Sequence, residues 1–241
     1  MDVGRWAFLF CAMLSAIIVA GGSSQRMGFD KLFAVIAGEP VIAHSIRAFE
    51  HASSVSEIVV VARNERHDEI RKISRAAGFK KVRSIEPGGE RRQDSVRAGL
   101  DRIDHAAKYV AVHDAARPLI TPEQIERAFE QCRVHGSAAL SQPVNDTLKR
   151  ADADLLVVGL VDRHQLYAMQ TPQIFERKLI DDAYRDVDAE KASVTDEVSA
   201  VERLGHKIAL VLNDDFNFKI TYPRDLPLAD FILREREKNH G

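Results

Sequence analysis

The sequence has few of the residues that mark several large classes of protein. Two cysteines in 241 residues, Cys11 and Cys132, are too few for a disulfide framework, and their spacing is not that of metal ligands. The formal net charge is only -2, so the chain does not have the basic excess of a dedicated nucleic-acid binder. We therefore expect no nucleic-acid partner and a reducing, cytoplasmic environment.

No run of apolar residues is long enough for a membrane span. The longest, residues 6–20 (WAFLFCAMLSAIIVA), follows Arg5 near the N-terminus and in that respect resembles a signal-peptide core. It leads directly into two glycines, however, and cleavage there would remove a strand that the fold needs. We predict that LSAIIVA is the first buried strand, that residues 1–13 are an extension or an upstream start, and that the protein has no membrane partner.

Short β-branched segments alternate along the chain with amphipathic segments of helix length. Strands are predicted at residues 14–20, 57–62, 81–85, 108–113 and 138–143, with helices between them near 40–51, 65–77, 90–103 and 122–135. Strands separated by single helices are typical of right-handed βαβ units, and continuous apolar strands indicate burial on both faces. The pattern predicts an α/β protein with a mainly parallel sheet covered by helices on both faces.

The alternation stops at residues 144–165, where short strand-like pieces show no helical period. We predict a polar hairpin that protrudes from the sheet as an arm and pairs with a second subunit, so a homodimer is the expected assembly. The alternation resumes with helices near 176–187, 195–204 and 223–237 and a strand at 207–212. Because no repeat or linker interrupts it, residues 1–241 are predicted to form one domain.

The loop after the first predicted strand, AGGSSQRMGFDK (residues 20–31), has the composition of an anion site. Gly21 and Gly22 let the backbone approach a ligand closely, and successive N–H groups can hold a phosphate. Arg26 and Lys31 add two cations, although a glycine-rich turn without a ligand would contain the same glycines. The loop has neither the Gly-Lys-Ser/Thr of a P-loop nor the G-x-G-x-x-G of dinucleotide-binding proteins.

Two further loops, PGGERRQDSV (87–96) and HDAARP (113–118), follow the third and fourth predicted strands. Open α/β sheets bind ligands at the carboxyl ends of their strands, so the three loops are expected to share one crevice. Asp114 is suited to Mg²⁺, which prefers carboxylate and phosphate oxygens, and Arg117 presents a planar fork suited to phosphate. The structural alternatives are a salt bridge between Asp114 and Arg117 and, for residues 87–96, a turn that leads into a helix.

Weaker signals come later in the chain. Lys219 lies in the strand-like segment FKIT, where a cation is unusual in a core and reasonable beside a crevice. Thr195 precedes Asp-Glu and an apolar helix, a pattern that is most simply a helix N-cap. The nine histidines show no metal-ligand spacing, and no G-x-S-x-G nucleophile elbow is present.

Taken in order, these segments resemble those of one family. A-G-G-x-x-x-R-M, G-G-E-R-R-x-D-S-V, H-D-A-A-R-P, P-V-x-D-T-x-K, T-P-Q-x-F, T-D-E-x-S-A-x-E and N-x-K-I-T are similar to motifs of the 2-C-methyl-D-erythritol 4-phosphate cytidylyltransferases of the non-mevalonate isoprenoid pathway, over residues 14–235. The glycine loop is shared with many nucleotidyltransferases, whereas H-D-A-A-R-P together with D-T-x-K, T-P-Q and N-x-K-I-T is more specific. The resemblance implies a Rossmann-like nucleotidyltransferase fold, transfer of CMP from CTP to a sugar-alcohol phosphate with release of pyrophosphate, and Mg²⁺ as cofactor.

The resemblance also implies a role for individual residues. For the nucleotide it implies Arg26 and Lys31 at the triphosphate, Gly89, Glu90 and Ser95 at the cytosine, Ala20, Gly21, Gly22 and the backbone of Ala115 nearby, and Asp114 at Mg²⁺ and the ribose. For the acceptor pocket it implies Arg117, Thr147, Arg163, Thr171, Thr195 and Lys219, with Arg163 and Lys219 nearest the acceptor phosphate. Arg26, Lys31 and Lys219 are the cations expected to carry catalysis.

Three other functions remain open on the sequence alone. A cytidylyltransferase for ribitol 5-phosphate or a similar polyol phosphate would need the same nucleotide site and differ only in the acceptor pocket. An NADP-dependent oxidoreductase is favoured by the alternating strands and by Arg63 after the second strand, but the dinucleotide fingerprint and a Tyr-x-x-x-Lys pair are missing. A non-catalytic nucleotide-binding protein on the same scaffold would have no need of all three cations.

Overall fold

The computed structural model describes residues 14–22, 24 and 26–240 of the chain. The predicted N-terminal extension, residues 1–13, lies outside the described residues. The strands are β1 Leu14–Ala20, β2 Val35–Ile36, β3 Glu39–Pro40, β4 Val55–Ala62, β5 Val82–Pro87, β6 Tyr109–Asp114, β7 Ser137–Pro143, β8 Leu148–Ala151, β9 Val157–Val161, β10 Tyr167–Glu176 and β11 Ala209–Leu212. The helices are α1 Val41–His51, α2 His67–Ala76, α3 Arg92–Leu100, α4 Pro122–His135, α5 Arg177–Ala189, α6 Glu197–Glu202 and α7 Asp225–His240.

Seven of these strands form one sheet in the order β11-β7-β10-β6-β1-β4-β5. β1 is parallel to both of its neighbours, β4 and β6, and the pairs β4–β5 and β7–β11 are parallel as well. β10 alone runs antiparallel to its neighbours in this sheet, β6 and β7. The mainly parallel sheet predicted from the sequence is confirmed.

The antiparallel strand β10 is the strand of the seven-stranded sheet that was not predicted from the sequence. Its centre contains Gln170, Thr171, Pro172 and Gln173, which break the apolar pattern of a buried strand, and proline cannot donate a hydrogen bond to the sheet. The pairing with β7 is interrupted at this point, between Met169 and Gln173. The polar residues of β10 therefore lie in the middle of the sheet, near the carboxyl end of β6.

Helices cover both faces of the sheet because the central strands are apolar on both sides. From β1, Ile18 packs in a cluster with Phe49 of α1, while Ile17 packs on the opposite face with Val96 of α3. α3 lies so close that a Cβ on Gly99 would come within 2.6 Å of the Ile17 Cγ2 atom. The side chains of β1 are thus buried on both faces, as its continuous apolar sequence predicts.

The segment 144–165 forms a hairpin, in which β8 and β9 pair antiparallel in a two-stranded sheet of their own. We call this segment the arm. Its description as polar is wrong, because its tip and second strand expose large apolar side chains, including Leu155 (84% exposed) and Leu160 (70% exposed). None of the helices in the described ranges is long and apolar enough to cross a membrane.

Candidate active site

The carboxyl ends of β1, β5 and β6 and the loops that follow them surround a cavity of about 340 Å³. Residues proposed from the sequence that line this cavity are Ala20, Gly21, Gly22, Lys31, Gly89, Glu90, Ser95, Asp114 and Lys219. They come from four separate parts of the chain. The parallel sheet brings them together because its strands end at the same edge.

Ser95 connects the two glycine-rich loops. It is buried at the start of α3, and its Oγ accepts a hydrogen bond from the Gly89 N–H at 3.2 Å. A Cβ on Gly21 or Gly88 would come within 3.2 or 3.0 Å of the same oxygen, and a Cβ on Gly89 within 2.3 Å of the Asp94 Cβ. Because glycine has no side chain, the two loops can pack this closely, and the cavity wall consists of backbone at these positions.

Two arginines that follow β4 hold the first loop in place. The buried Arg66 donates to the carbonyl oxygen of Ala20 and, at 2.9 Å, to that of Gly22. Arg63 lines the cavity and donates through Nε to the Gly21 carbonyl oxygen at 2.9 Å. From the sequence, Arg63 was expected only as a contact for NADP, and no role was predicted for Arg66. Both arginines have backbone oxygens of the glycine loop as partners.

Asp114, the last residue of β6, is the centre of a charge cluster in the cavity wall. Its Oδ1 accepts from Arg92 Nε at 3.1 Å and its Oδ2 from Lys219 Nζ at 2.8 Å. Burial alone would raise the pKa of Asp114, but the positive charges of Arg92 and Lys219 outweigh burial and hold that pKa well below its usual range. Asp114 is therefore an ionised carboxylate with a cation on each oxygen.

Lys31 lines the same cavity. Its Nζ donates to the Ile220 carbonyl oxygen at 2.6 Å, one residue beyond Lys219. Burial lowers the pKa of the Lys31 ammonium group, and the nearby positive charges of Lys219 and Arg26 lower it further. Cations that destabilise one another in this way are stabilised when an anion binds between them.

Arg26 does not line the cavity. Its side chain is exposed, with the guanidinium carbon 5.4 Å from the centre of the Tyr222 ring, and Arg224 is 5.1 Å from the same ring centre. This is the geometry of a cation–π contact. The role of Arg26 at a triphosphate stays a prediction.

His113 and Thr171 form hydrogen bonds that hold the end of β6, including the backbone of Asp114. The buried His113 donates through Nε2 to the Arg117 carbonyl oxygen at 3.2 Å, and its Nδ1 accepts from the Thr171 hydroxyl at 3.0 Å. Burial lowers the pKa of His113 to about 3, so the imidazole is neutral. Thr171 Oγ1 also accepts from the Asp114 N–H at 3.1 Å. Thr171 thus fixes the backbone of Asp114 from within the sheet instead of lining the cavity.

Arg117 and Ala115 lie beside the cavity without contributing to its lining. The fully buried Ala115 donates its N–H to the Val19 carbonyl oxygen at 3.0 Å. Arg117 donates to the carbonyl oxygens of Asn217 at 2.8 Å and Met169 at 3.4 Å, so the salt bridge with Asp114 that the sequence left open is not formed. In this chain, Arg117 thus connects the end of β6 to strand β10 and to the loop that contains Asn217.

The other residues proposed for the acceptor are exposed and outside the cavity. Thr147 lies at the base of the arm, and Arg163, also on the arm, donates to the Asn145 carbonyl oxygen. Thr195 contacts Ser199 at 3.3 Å. The N-cap of α6 is Asp196, whose Oδ1 accepts from the Ser199 N–H at 3.0 Å, so the N-cap assignment is wrong by one residue. The roles of these residues toward an acceptor stay predictions.

Arg92 is a charged residue of the cavity for which the sequence indicated no role. It lines the cavity, contacts Asp114 and donates through Nη1 to Glu197 Oε1 at 2.6 Å. A signal for it was present in the sequence, because Arg91-Arg92 begin a helix whose dipole favours acidic residues at that end. Two arginines in an unfavourable position indicate that another interaction holds at least one of them there.

Comparison with known proteins agrees with this geometry. A model of the 2-C-methyl-D-erythritol 4-phosphate cytidylyltransferase family matches residues 14–235. A protein of that name from Caldanaerobacter subterraneus subsp. tengcongensis is 41% identical over 225 residues, which span 92% of this chain and 99% of that protein. The chloroplastic enzyme of the same name from Oryza sativa subsp. japonica is 36% identical over 225 residues, 92% of this chain and 75% of that protein.

Solved structures give the same result. The crystal structure of 4-diphosphocytidyl-2C-methyl-D-erythritol synthase from Anaerococcus prevotii superposes with a TM-score of 0.81 at 28% identity and covers 93% of this chain and 97% of that one. That of 2-C-methyl-D-erythritol 4-phosphate cytidylyltransferase from Thermus thermophilus has a TM-score of 0.75 at 28% identity, with 91% and 98% covered. This chain belongs to the 2-C-methyl-D-erythritol 4-phosphate cytidylyltransferase family.

Proposed function

We propose that this chain transfers CMP from CTP to 2-C-methyl-D-erythritol 4-phosphate and releases pyrophosphate. The observation that carries the proposal is the cavity itself, where two glycine-rich loops, Lys31, Lys219 and Arg92 surround the ionised Asp114. Backbone N–H groups and fixed cations in one wall suit a polyanion such as a nucleoside triphosphate. Family membership identifies which triphosphate and which acceptor.

The reaction needs no catalytic base. An oxygen of the acceptor phosphate, already an anion at neutral pH, forms a bond to the α-phosphorus of CTP, and the bond from that phosphorus to the β-phosphate oxygen breaks. The chain has to bring two anions together and stabilise the charge on the phosphoryl oxygens. We assign this role to Lys31 and Lys219, which both line the cavity, and to Arg26 at the triphosphate.

The base is assigned to the second glycine-rich loop. Gly89 and Glu90 line the cavity at the end of β5, and Ser95 holds the loop against β1. Backbone groups in a fixed loop offer hydrogen bonds to the edge of a base without the loss of side-chain entropy. We propose that cytosine binds there and that Ala20, Gly21 and Gly22 contact the rest of the nucleotide.

Asp114 fits a magnesium site that the substrate completes. In the described part of the chain no three His, Cys, Asp or Glu side chains cluster as metal ligands would. Mg²⁺ is commonly held by one or two carboxylates together with substrate phosphates, and Asp114 and Glu90 are the carboxylates of the cavity lining. Each oxygen of a carboxylate can accept two hydrogen bonds or metal contacts, so Asp114 can serve Arg92, Lys219 and a metal at once. Mg²⁺ bound there would neutralise phosphate charge.

We further propose that the arm forms a homodimer and that the dimer completes the acceptor pocket. The arm exposes Leu155, Leu156, Val157, Val158 and Leu160, an apolar surface that would be costly to leave in water. Thr147 and Arg163 lie on the same arm and outside this chain's own cavity. Pairing of the arm with a second copy would cover the apolar side chains and allow these two residues to reach a cavity.

A cytoplasmic location is part of the proposal and rests on cysteine usage. The chain contains two cysteines, and the described one, Cys132, is buried and free. This is the cysteine usage of a protein in a reducing compartment.

The test is pyrophosphate release with CTP and Mg²⁺, with 2-C-methyl-D-erythritol 4-phosphate or ribitol 5-phosphate as acceptor. We expect strong turnover with the erythritol phosphate and little with the ribitol phosphate. The reverse preference would contradict the acceptor assignment but leave the nucleotide site intact. Release with neither acceptor, from protein that binds CTP, would contradict the proposed activity.

A further inference from the structure

A fully buried carboxylate lies behind the cavity wall. Glu197, the first residue of α6, has no exposed surface. Its Oε1 accepts from Arg92 Nη1 at 2.6 Å and from the Tyr184 hydroxyl at 3.1 Å, and its Oε2 has no hydrogen-bond partner among the described residues. Burying an ionised carboxylate is costly unless it is well paired. The burial of Glu197 beside Arg92 therefore calls for a physical explanation.

Glu197 is one of two carboxylates that hold the Arg92 guanidinium. Nη1 contacts Glu197 and Nε contacts Asp114, which fixes the guanidinium plane at two points. Burial alone would lower the pKa of Arg92, but Glu197 and Asp114 outweigh burial and raise it, so Arg92 is a permanent cation. Nη2 has no hydrogen-bond partner within the described ranges and is not among the buried unpaired atoms, and the residue lines the cavity.

Contacts that do not involve the Glu197 carboxylate attach α6 to the sheet. The Gln173 side chain of β10 accepts from the N–H groups of Glu197 at 3.1 Å and Val198 at 3.0 Å, and it donates to Asp196 Oδ2 at 2.8 Å. These contacts attach the first turn of the helix to the sheet. The start of α6 is therefore held by the sheet as well as by the Glu197 carboxylate, whose own partners are Arg92 and Tyr184.

The charges around Arg92 attract its guanidinium toward two different carboxylates. Asp114 is paired with both Arg92 and Lys219, and Glu197 attracts Arg92 through a different guanidinium nitrogen from the one that contacts Asp114. Without the charge of Glu197, the attraction of Asp114 for Arg92 would be unopposed. The guanidinium would then turn toward Asp114, and its free edge would no longer be fixed toward the cavity.

We propose that Glu197 is a positioning residue, which holds Arg92 so that the free edge of its guanidinium meets a phosphate oxygen of a substrate bound in the cavity. The inference rests on the proposed function, because that function brings phosphates to this wall. A phosphate there belongs to CTP or to the acceptor. Separate KM values for the two substrates distinguish these sources.

The test is Glu197→Gln, which keeps the shape and an oxygen acceptor for Arg92 but removes the charge. We expect kcat/KM to fall about tenfold, the scale of one charge-assisted hydrogen bond, with a raised KM for the substrate whose phosphate Arg92 contacts. The control is Glu57→Gln. Glu57 is also a buried glutamate, held by Ser15, the Asp104 N–H and Arg83 near the start of β4, and its loss should change stability but leave kcat/KM within about twofold.

A double-mutant cycle with Arg92→Lys separates positioning from a general structural effect. Lysine keeps the charge but cannot contact two carboxylates as a planar fork does. If Glu197 acts through Arg92, Glu197→Gln should lower kcat/KM little further in the Arg92→Lys background. Full additivity of the two losses, or equal kinetic losses in Glu197→Gln and Glu57→Gln, would overturn the proposal.

Two further outcomes need a different comparison, the first by kinetics and the second by binding. If Glu197→Gln does not fold, a folded Arg92→Lys protein with wild-type kcat/KM overturns the proposal, and a tenfold loss supports it. If the wild-type protein binds CTP but releases no pyrophosphate, the proposed function fails. The same variants are then compared by calorimetric Kd for CTP and for the erythritol phosphate, where unchanged values for Glu197→Gln would overturn the positioning role separately.

Discussion

The cavity and the arm are built in opposite ways. Around the cavity, several charged side chains are tied to the framework: Asp114 to two cations, Lys31 to a carbonyl oxygen and Arg66 to the glycine loop. On the arm, the residues proposed for the acceptor are exposed, and Arg163 contacts only a backbone oxygen of the arm itself within the described structure.

This difference indicates how the work of the site is divided. A pre-organised set of charges stabilises a transition state without reorganisation, which suits the phosphoryl transfer itself. In the dimer that we propose, a partner would cover the exposed apolar surface of the hairpin. The nucleotide half of the site would then lie within a single chain, and the acceptor half would depend on assembly.

The largest expected effect comes from removing a cation of the cavity. Lys31→Ala and Lys219→Ala should each lower kcat by ~10²–10³, the scale for one preorganised electrostatic group. Pyrophosphate release under saturating CTP measures this. The matched control is Lys72→Ala, an exposed lysine of α2 paired with Glu69, which should have wild-type turnover. If both cavity variants keep a near wild-type kcat, the cations of the cavity are not needed for catalysis. The proposed difference between a charged, ordered cavity and the arm would then be wrong.

A smaller and more selective effect is expected from the arm. The double change Leu156→Glu and Leu160→Glu puts charges on its apolar surface, where the side chains are 64% and 70% exposed in one chain. We expect sedimentation to show monomers and the Kd for CTP to stay unchanged. We expect kcat/KM for the acceptor to fall about tenfold or more, and tenfold corresponds to about 1.4 kcal/mol of free energy. A monomer with full activity would contradict the proposed role of the dimer.

Much of the fold could be predicted because local signals and the sheet agree. α4 has the bounds predicted from the sequence, since Thr121 forms a capping box with Gln124 and Gly136 ends the helix at a positive φ of 79°. β10 could not be predicted, because its polar centre is stabilised by contacts that only the folded sheet provides. Gln170, for example, accepts hydrogen bonds from both Asn213 and Asn217.

The candidate site was predictable where a side chain follows a strand of the parallel sheet. Asp114 and the glycine loops belong to this group. Arg92 and Glu197 were not identified, because their roles depend on the approach of α6 to α3, which lie 105 residues apart at the contact. Thr171 was found by resemblance, but its place inside the sheet depends on β10. Sequence order gives the edge of the sheet, and tertiary packing decides which side chains reach it.

Two glycines test the contrast in packing directly. Gly89→Ala in the cavity would place a Cβ within 2.3 Å of the Asp94 Cβ, whereas Gly159→Ala on the arm would meet nothing within 4 Å among the described residues. We expect Gly89→Ala to cost ~1–3 kcal/mol of stability, as overpacking does, and to weaken CTP binding. Gly159→Ala should change the free energy of unfolding by less than about 0.5 kcal/mol. Urea unfolding and CTP calorimetry measure both, and equal effects would contradict the difference in packing.

Two histidines extend the contrast to pH. Burial lowers the pKa of His113 to about 3, whereas the unfolded chain binds that proton near pH 6.5. Between these values the unfolded state holds the extra proton, so stability falls as pH falls, by up to about 1.4 kcal/mol per pH unit from this group. In urea unfolding from pH 7 to pH 4, His113→Gln should show a shallower loss of stability than wild type, although it starts less stable. The exposed His164 of the arm is the control, and His164→Gln should follow the wild-type slope. If His113→Gln loses stability with falling pH as steeply as wild type, the environment of His113 is as accessible to solvent as the arm. That result would contradict the description of the nucleotide half as ordered.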